Sequence, residues 1–480
     1  MNSIKLAGLE PASVFYYFEQ LCAIPHGSGN TKAISDYLVA FAKKQGLRYI
    51  QDELNNVILF QDGTCGMEHH QPVILQGHMD MVCDKDPDCP IDMDTQGLEL
   101  THDGEYVFAR GTTLGGDDGI ALAYALALLA DTSIPHPPLE VVITVDEETG
   151  MDGAAGIDLS MLNGRTLINI DSEEEGIFTV SCAGGAKSTL SLPLPRHPVY
   201  GPCVKVTIDG LQGGHSGVEI HKKRANANKI MGILLARIQE LFPICITGLQ
   251  GGAKDNAIPR SCTATFVALG MYIERINEVA AQLQAEIRAN FDEPEAVIFG
   301  DDVDALGGNA LSTEDSVKVV KLLNEVPNGV QSWSEDIAGL VQTSLNLGIL
   351  ELKEDLRLTF ALRSSVGAEK DAMVAQLKKI AEAFGADYSQ KGDYPAWEYK
   401  KDSRLRDTMV DIYRKMFAKE PEVVAIHAGL ECGLLGEKLP GLDCVSIGPD
   451  MKDIHTSRER LNIASTERTW KFLLAVLKAL

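Results

Sequence analysis

No stretch of this chain reaches the roughly 18 consecutive apolar residues of a membrane span. Its opening, MNSIKLAGLEPASVFYYF, has no basic segment leading into an apolar one. A cytoplasmic location without a membrane partner is the expectation. Positive charge is also scarce, with 43 Lys and Arg against 68 Asp and Glu and a formal net charge of -25. Affinity for nucleic acid comes mainly from clustered cations neutralising phosphates, so this balance argues against nucleic acid and for small molecules. The ten cysteines form no Cys-x-x-Cys pair, and several, such as Cys444 in DCVSIG, have apolar neighbours. Buried thiols in a reducing compartment are expected rather than disulfides or a zinc knuckle. Low-complexity tracts and short repeats are missing too, while 45% hydrophobic and 23% charged residues match an ordinary globular protein.

At 480 residues the chain is too long for one compact core. In its first part TKAISDYLVAFAKKQG sets Ile34, Leu38 and Phe41 at helical spacing, with Thr31 near the start and Gly46 at the stop. The segment from Pro72 to about Gly77 then reads as a buried strand, followed by an apolar helix (GIALAYALALLA) and the strands LEVVITV and TLINI. Nearly continuous apolar strands separated by helices predict an α/β domain, a mostly parallel sheet covered by helices on both faces. The strand GLDCVSIGP and the closing helix STERTWKFLLAVLKAL resume that architecture. Between them VKVTIDG, CTATFVAL, LGILELKED and LRLTFALRSS alternate as strands, and three segments have helical periodicity. An inserted α+β lid of one or two lobes with antiparallel sheet is expected at about 186–399, splitting the first domain into 1–185 and 400–480.

The conspicuous acids and imidazoles fall at the C-terminal ends of expected strands, where open α/β sheets bind ligands. His78 and Asp80 follow VILQG; Asp117 and Asp118 lie in the turn TTLGGDDG; Glu147 and Glu148 follow VVITV; Asp171 ends LINI; His455 follows CVSIGP by a short loop. Alone, each is more often a helix cap, a turn former or a solvated charge. Together they crowd one sheet edge with acids, which is unfavourable unless cations neutralise them. Imidazole and carboxylate ligands without Cys suit Zn²⁺, Mn²⁺ or Co²⁺, and two ions about 3.5–4 Å apart need a bridging carboxylate, for which Asp117 is the candidate. Asp80, two residues from His78, is placed to orient that imidazole and not to ligate. Neighbouring residues at a strand end point in different directions, so one of Glu147 and Glu148 can bind metal while the other faces the attacking water.

HMD, GGDDG, DEETG, INIDSEE and IHTSRERL, in this order and spacing, resemble the M20 family of dinuclear metallopeptidases over nearly the whole chain, with the aminoacyl-histidine dipeptidase, carnosinase-like branch the nearest likeness. The resemblance implies that His78, Asp117 and Asp171 hold one metal and that Asp117, Glu148 and His455 hold the other. It makes Glu147 the general base and Asp80 the partner of His78. In such proteins the peptide after the bridging Asp is often cis. GLQGGHSG is similar to the lid motif that stabilises the oxyanion, which points to His215. LRLTFALRSS matches the segment whose Arg grips a substrate carboxylate, which points to Arg363, with Asn256 of GAKDNAIP as a helper. This chain reads DDG where many members read DDKG, which weakens transfer of substrate class from the carboxypeptidase and deacylase branches and leaves the metal ligands untouched.

The resemblance thus implies two-metal hydrolysis of unblocked dipeptides, Xaa-His dipeptides such as β-alanyl-histidine included. Zinc is the first expectation for both ions, with cobalt or manganese as alternatives, and a homodimer is compatible. The competing functions are an N-acyl amino acid deacylase or tripeptidase on the same site and, from another class, a non-catalytic peptide- or metal-binding protein. Retention of Glu147, which is not needed as a ligand, argues against the last.

Overall fold

A computed structural model describes residues 5–268 and 273–480. Leu269, the last residue of the expected strand CTATFVAL, lies outside the described residues. The chain divides into two compact units, one made of Met1–Ser181, Tyr399–Ala425 and Leu430–Leu480, the other of Cys182–Glu398 with the short return Ile426–Gly429.

The first unit is built on an eight-stranded sheet ordered Arg48–Gln51, Val57–Gln61, Leu139–Thr144, Val73–His78, Thr166–Asn169, Asp443–Ser446, Ile177–Cys182 and Glu422–Ile426. Its centre is parallel: Val73–His78 pairs with Leu139–Thr144 and Thr166–Asn169, and the latter with Asp443–Ser446. Antiparallel strands flank this centre, with Val57–Gln61 against Leu139–Thr144 on one side and Ile177–Cys182 against Asp443–Ser446 on the other. Both VILQGH and LEVVIT are buried at every residue, because helices cover both faces. The register sets His78 opposite Thr144 and Gln76 opposite Asn169, so the central strands end level at one edge.

The helices follow from their sequences. Lys32–Gln45 stops where Gly46 turns left-handed at φ 72°. Gly116–Leu129 has no polar face; Ile120 through Leu129 are all buried, as an uninterrupted apolar run requires. The last helix, Ile463–Ala479, starts where the Asn462 side chain accepts from the Ser465 N–H. Its Trp470 stacks on Tyr124 at 5.7 Å, and its Phe472 stacks on Phe178 at 5.5 Å and meets Tyr413 edge-on at 5.5 Å.

The second unit holds a nine-stranded sheet in which Gly184–Pro193, His197–Asp209, Ile244–Gly251, Cys262–Ala268, Val297–Ala310, Gly329–Trp333, Val341–Leu352, Asp355–Ser364 and Asp387–Tyr394 pair antiparallel. Helices Ala227–Gln239, Ile273–Asn290, Thr313–Glu325 and Gly367–Phe384 supply Leu234, Ile276, Leu322 and Leu377 to a core shared with Leu190, Phe266, Leu347 and Phe360 of the sheet. The ten cysteines are all free thiols, seven of them buried.

Phe472 joins the last helix to a cluster of Phe178, Tyr413 and Phe417. Phe472→Ala is expected to cost the first unit about 3–5 kcal/mol, read as a lowered midpoint for that unit in chemical denaturation; an unchanged midpoint would mean that the cluster is not what seats the helix.

Candidate metal centre and active site

The level strand ends of the first unit gather the acids and imidazoles from five separate segments. His78 closes its strand, buried to 1% exposure. Its Nε2 lies 3.1 Å from Asp117 Oδ1 and 3.5 Å from Asp171 Oδ1. The other oxygen of Asp117, Oδ2, lies 3.2 Å from His455 Nε2, which is 2.9 Å from Glu148 Oε1. Asp117 therefore faces an imidazole with each oxygen, and each imidazole has a second carboxylate beside it. The donor atoms of Asp117, Glu148 and His455 lie within 4.8 Å of one another, as do those of His78, Asp118 and Asp171 and those of His78, Glu147 and Glu148.

Local backbone geometry makes this presentation possible. Asp117 and Asp118 interrupt the start of the helix Gly116–Leu129 with non-helical φ/ψ, and the peptide between them is cis. Glu147–Gly150 is a single helical turn entered through Asp146 at φ 56°, so both glutamates sit three or more residues beyond the strand end at Thr144. His455 itself is left-handed, at φ 60°.

The ring of His78 is oriented through Nδ1, which lies 3.0 Å from the Asp80 carbonyl oxygen and 3.4 Å from Asp80 Oδ1. The nearer partner is thus the main chain of Asp80, while its carboxylate has further work. Oδ1 accepts from the Glu147 N–H at 3.1 Å, and Oδ2 accepts from the Glu148 N–H at 3.4 Å and the Ser28 hydroxyl at 2.8 Å. Asp80 therefore holds the two glutamates as well as the imidazole.

The electrostatics show what the cluster demands. Burial pushes the Glu147 carboxyl up to about 9, with His78 opposing and Asp171, Glu431 and Glu148 adding to the rise. Burial likewise raises Asp171 to about 7. Hydrogen bonding to Asp117 and Glu148 lifts His455 to about 10. Burial works against charge on His78, yet Asp117, Asp171 and Asp80 outweigh it and pull its pKa well above the ordinary value. With Nδ1 donating to the Asp80 carbonyl, a neutral His78 turns the Nε2 lone pair toward two carboxylate oxygens, an arrangement of facing acceptors that only a cation or a proton relieves. Imidazole nitrogens and carboxylate oxygens at these spacings, with no thiol among them, fit a divalent transition metal.

The second unit holds the remaining expected residues. His215 forms a two-residue ladder with Ala257, directly after Asn256, whose carbonyl accepts from the Ser216 N–H at 2.8 Å. Its Nδ1 accepts the N–H groups of Gly217 and Val218, each at 3.2 Å, so its proton sits on Nε2. Burial, then the charge of Arg363, lowers its pKa and keeps it neutral. Arg363 reaches Tyr394 Oη at 3.3 Å through Nη1, and its Nε has no hydrogen-bond partner among the described residues. A Cβ on Gly217 would come within 3.0 Å of His215 Cε1 and 3.1 Å of Arg363 Nε, so glycine lets these two groups close around the turn.

Three residues were not anticipated. Glu431, fully buried, accepts from Gln76 Nε2 and Thr144 Oγ1 at 2.6 Å each, and Asn169 Nδ2 donates to Gln76 Oε1 at 2.6 Å, joining the three central strands just below the site. Glu459 lies inside the quoted segment IHTSRERL and caps the loop that carries Asp117. His427 of the second unit bonds Ser344 Oγ at 2.7 Å and is pushed down to about 3 by burial and then by Arg363. Nothing in the local pattern marks Glu431 or His427; Glu459 could have been suspected from its place four residues after His455.

The model of peptidase family M20/M25/M40 matches residues 74–479. The chain is 37% identical over 479 residues to the cytosol non-specific dipeptidase of Escherichia coli K12, covering 99% of each protein. The crystal structure of an aminoacylhistidine dipeptidase from Vibrio alginolyticus is similar with a TM-score of 0.94 at 34% identity, over 99% of this chain and 98% of that one. Aminopeptidase PepT from Bacillus cereus shares the fold, with a TM-score of 0.57 and 16% identity over 98% of each chain.

Asp80→Asn keeps the size of the side chain and removes one of its two acceptors. Affinity for a divalent ion is expected to fall about 10–100-fold, measured by competition with a chromophoric chelator. Wild-type affinity in the variant would remove Asp80 from the orienting role.

Proposed function

The chain belongs to peptidase family M20/M25/M40, and from that premise we propose that it hydrolyses unblocked dipeptides with two divalent metal ions, Xaa-His dipeptides such as β-alanyl-histidine among its substrates. The observation that carries the proposal is the two-sided contact of Asp117, 3.1 Å from His78 and 3.2 Å from His455, with Asp171 and Glu148 completing the two sides. His78, Asp117 and Asp171 would hold one ion, and Asp117, Glu148 and His455 the other. Zinc suits these donors first, then cobalt or manganese. When bound, the ions polarise a carbonyl and bring the pKa of a coordinated water near 7. Full-length likeness to a cytosolic non-specific dipeptidase and to an aminoacylhistidine dipeptidase supports the substrate class and a cytoplasmic location. Among the described residues no helix is long and apolar enough to cross a membrane.

The chain's own groups have distinct tasks in this reaction. Glu147, whose environment strengthens its hold on a proton, accepts one from the attacking water and returns it to the leaving amine. Cations held by His78, Asp117, Asp171, Glu148 and His455 would offset that strengthening and favour the ionised form that the first step needs. His215 is a neutral donor with its proton fixed on Nε2 by the two N–H groups at Nδ1, which suits it to the oxyanion. Arg363, with Nε unpartnered among the described residues, has donors left to grip the α-carboxylate of the substrate, with Asn256 assisting.

The test strips the purified protein of metal, restores Zn²⁺, Mn²⁺ or Co²⁺, and follows free histidine from β-alanyl-histidine beside ordinary dipeptides, a tripeptide and an N-acyl amino acid. Metal-dependent dipeptide cleavage with two ions bound per chain is expected. Cleavage confined to the N-acyl amino acid or the tripeptide would overturn the substrate class. Glu147→Gln is expected to lower kcat by about 10²–10⁴-fold with both ions retained; full activity in that variant would exclude it as the base, and retained binding without turnover excludes a mere binding protein.

A further inference from the structure

Glu459 is an acid buried to 3% exposure whose carboxylate makes no ion pair among the described residues. Its Oε2 accepts the N–H groups of Leu114 at 2.8 Å and Gly115 at 3.1 Å, and its Oε1 those of Gly116 at 2.8 Å and Asp117 at 3.3 Å. One carboxylate thus satisfies four consecutive main-chain donors, the last of them belonging to Asp117. Those of Gly115, Gly116 and Asp117 are among the donors that a helix start leaves without partners, and an anion is the favourable partner there. Here the chain supplies the anion from more than 340 residues away.

The sequence around both partners is shaped by this seat. Gly115 is left-handed at φ 68°, and a Cβ on Gly116 would lie 3.2 Å from Glu459 Oε1 and 3.1 Å from Met451 Sδ. The two glycines of TTLGGDDG are therefore the residues that let the loop close on the carboxylate. On the other side Glu459 is anchored: its N–H donates to the Thr456 carbonyl at 3.0 Å, and the next three residues, Arg460–Asn462, pair with Tyr106–Phe108. The loop that holds Glu459 is the loop that presents His455, four residues earlier, and His455 Nε2 is 3.2 Å from Asp117 Oδ2.

We infer that Glu459 is a positioning residue for the metal bridge, fastening the loop of Asp117 to the loop of His455 so that both ligands are set before an ion arrives. This inference rests on Asp117 being the bridge. The carboxylate of Glu459 is taken up by the main chain of residues 114–117, and through Asp117 its effect would reach both ions at once. Glutamine in its place keeps the shape but turns an amide NH₂ toward two N–H groups, which frees the loop on one side.

Three variants, Glu459→Gln, Gly116→Ala and Phe472→Ala, are compared with wild type by Zn²⁺ competition against a chromophoric chelator and by the visible spectrum of the Co²⁺ protein. Glu459→Gln is expected to weaken both ions about 10–100-fold and to alter the Co²⁺ bands. Gly116→Ala, which pushes on the carboxylate without removing it, weakens both in the same direction and serves if the first variant does not fold. Phe472→Ala destabilises the same unit through its contacts with Phe178, Tyr413 and Phe417 and is expected to keep wild-type affinity and spectrum. Wild-type affinity in both loop variants overturns the inference, as does an equal loss in Phe472→Ala, since the effect would then be stability alone. Failure of the wild type to bind two ions would instead overturn the proposed function.

Discussion

Asp117 turns one oxygen to His78 at 3.1 Å and the other to His455 at 3.2 Å, and the first unit is organised around keeping that contact in place. The difficulty is electrostatic. Asp117, Glu147, Glu148 and Asp171 converge on one sheet edge with two imidazoles as their nearest positive partners, and buried like charges repel strongly where water cannot screen them. Such an edge can be held only if its framework is fixed by interactions that do not use the ligand atoms.

The framework achieves this by dividing its acids into two classes. One class points its oxygens at other side chains of the site. The other gives them to the scaffold around it: Asp80 to the N–H groups of Glu147 and Glu148, Asp118 to the N–H of His78 at 3.2 Å, Glu459 to the N–H groups of residues 114–117, and Glu431 to the buried Gln76 and Thr144. Each member of the second class lies under or beside a member of the first. A carboxylate that accepts hydrogen bonds recovers part of its desolvation cost, although burial still raises the pKa of Asp118, Glu431 and Glu459.

That division also explains what could be seen in the sequence. His78, Asp117, Glu147, Glu148, Asp171 and His455 announce themselves because strand ends are recognisable from apolar runs and turn residues, and the chemistry expected there is that of ligands. The covered α/β sheet was legible for the same reason, since VILQGH and LEVVIT carry no polar face. The flanking antiparallel strands were less so, because a short edge strand such as RYIQ has no pattern that fixes its direction. Glu431 has no local signature at all, and Glu459 has only its place four residues after His455. Each looks like an ordinary charge near a helix or loop, and each acquires its role from a partner about 290–355 positions away in the chain, a relation that spacing and periodicity do not encode. Asp80 was visible as the partner of His78, but its hold on the Glu147–Glu148 turn depends on a register between two loops that only the fold supplies.

The same long-range closure bears on how metal and fold depend on each other. The proposed ligands come from positions 78, 117, 148, 171 and 455, so they reach across nearly the whole sequence of the first unit. An unfolded chain cannot present them together, and ions that bind only the folded form stabilise it by mass action, about 4 kcal/mol for a free concentration a thousandfold above Kd. Neutralising the crowded carboxylates adds to this, since the repulsion that opposes folding is removed in the same event. The scaffold acids make the dependence partial: by holding residues 114–117, 147–148 and the three central strands without metal, they leave the ions less ordering to do. Binding energy that would otherwise go into assembling the site remains available for affinity, and the geometry of Asp117 is then set by the chain and not by whichever ion happens to occupy it.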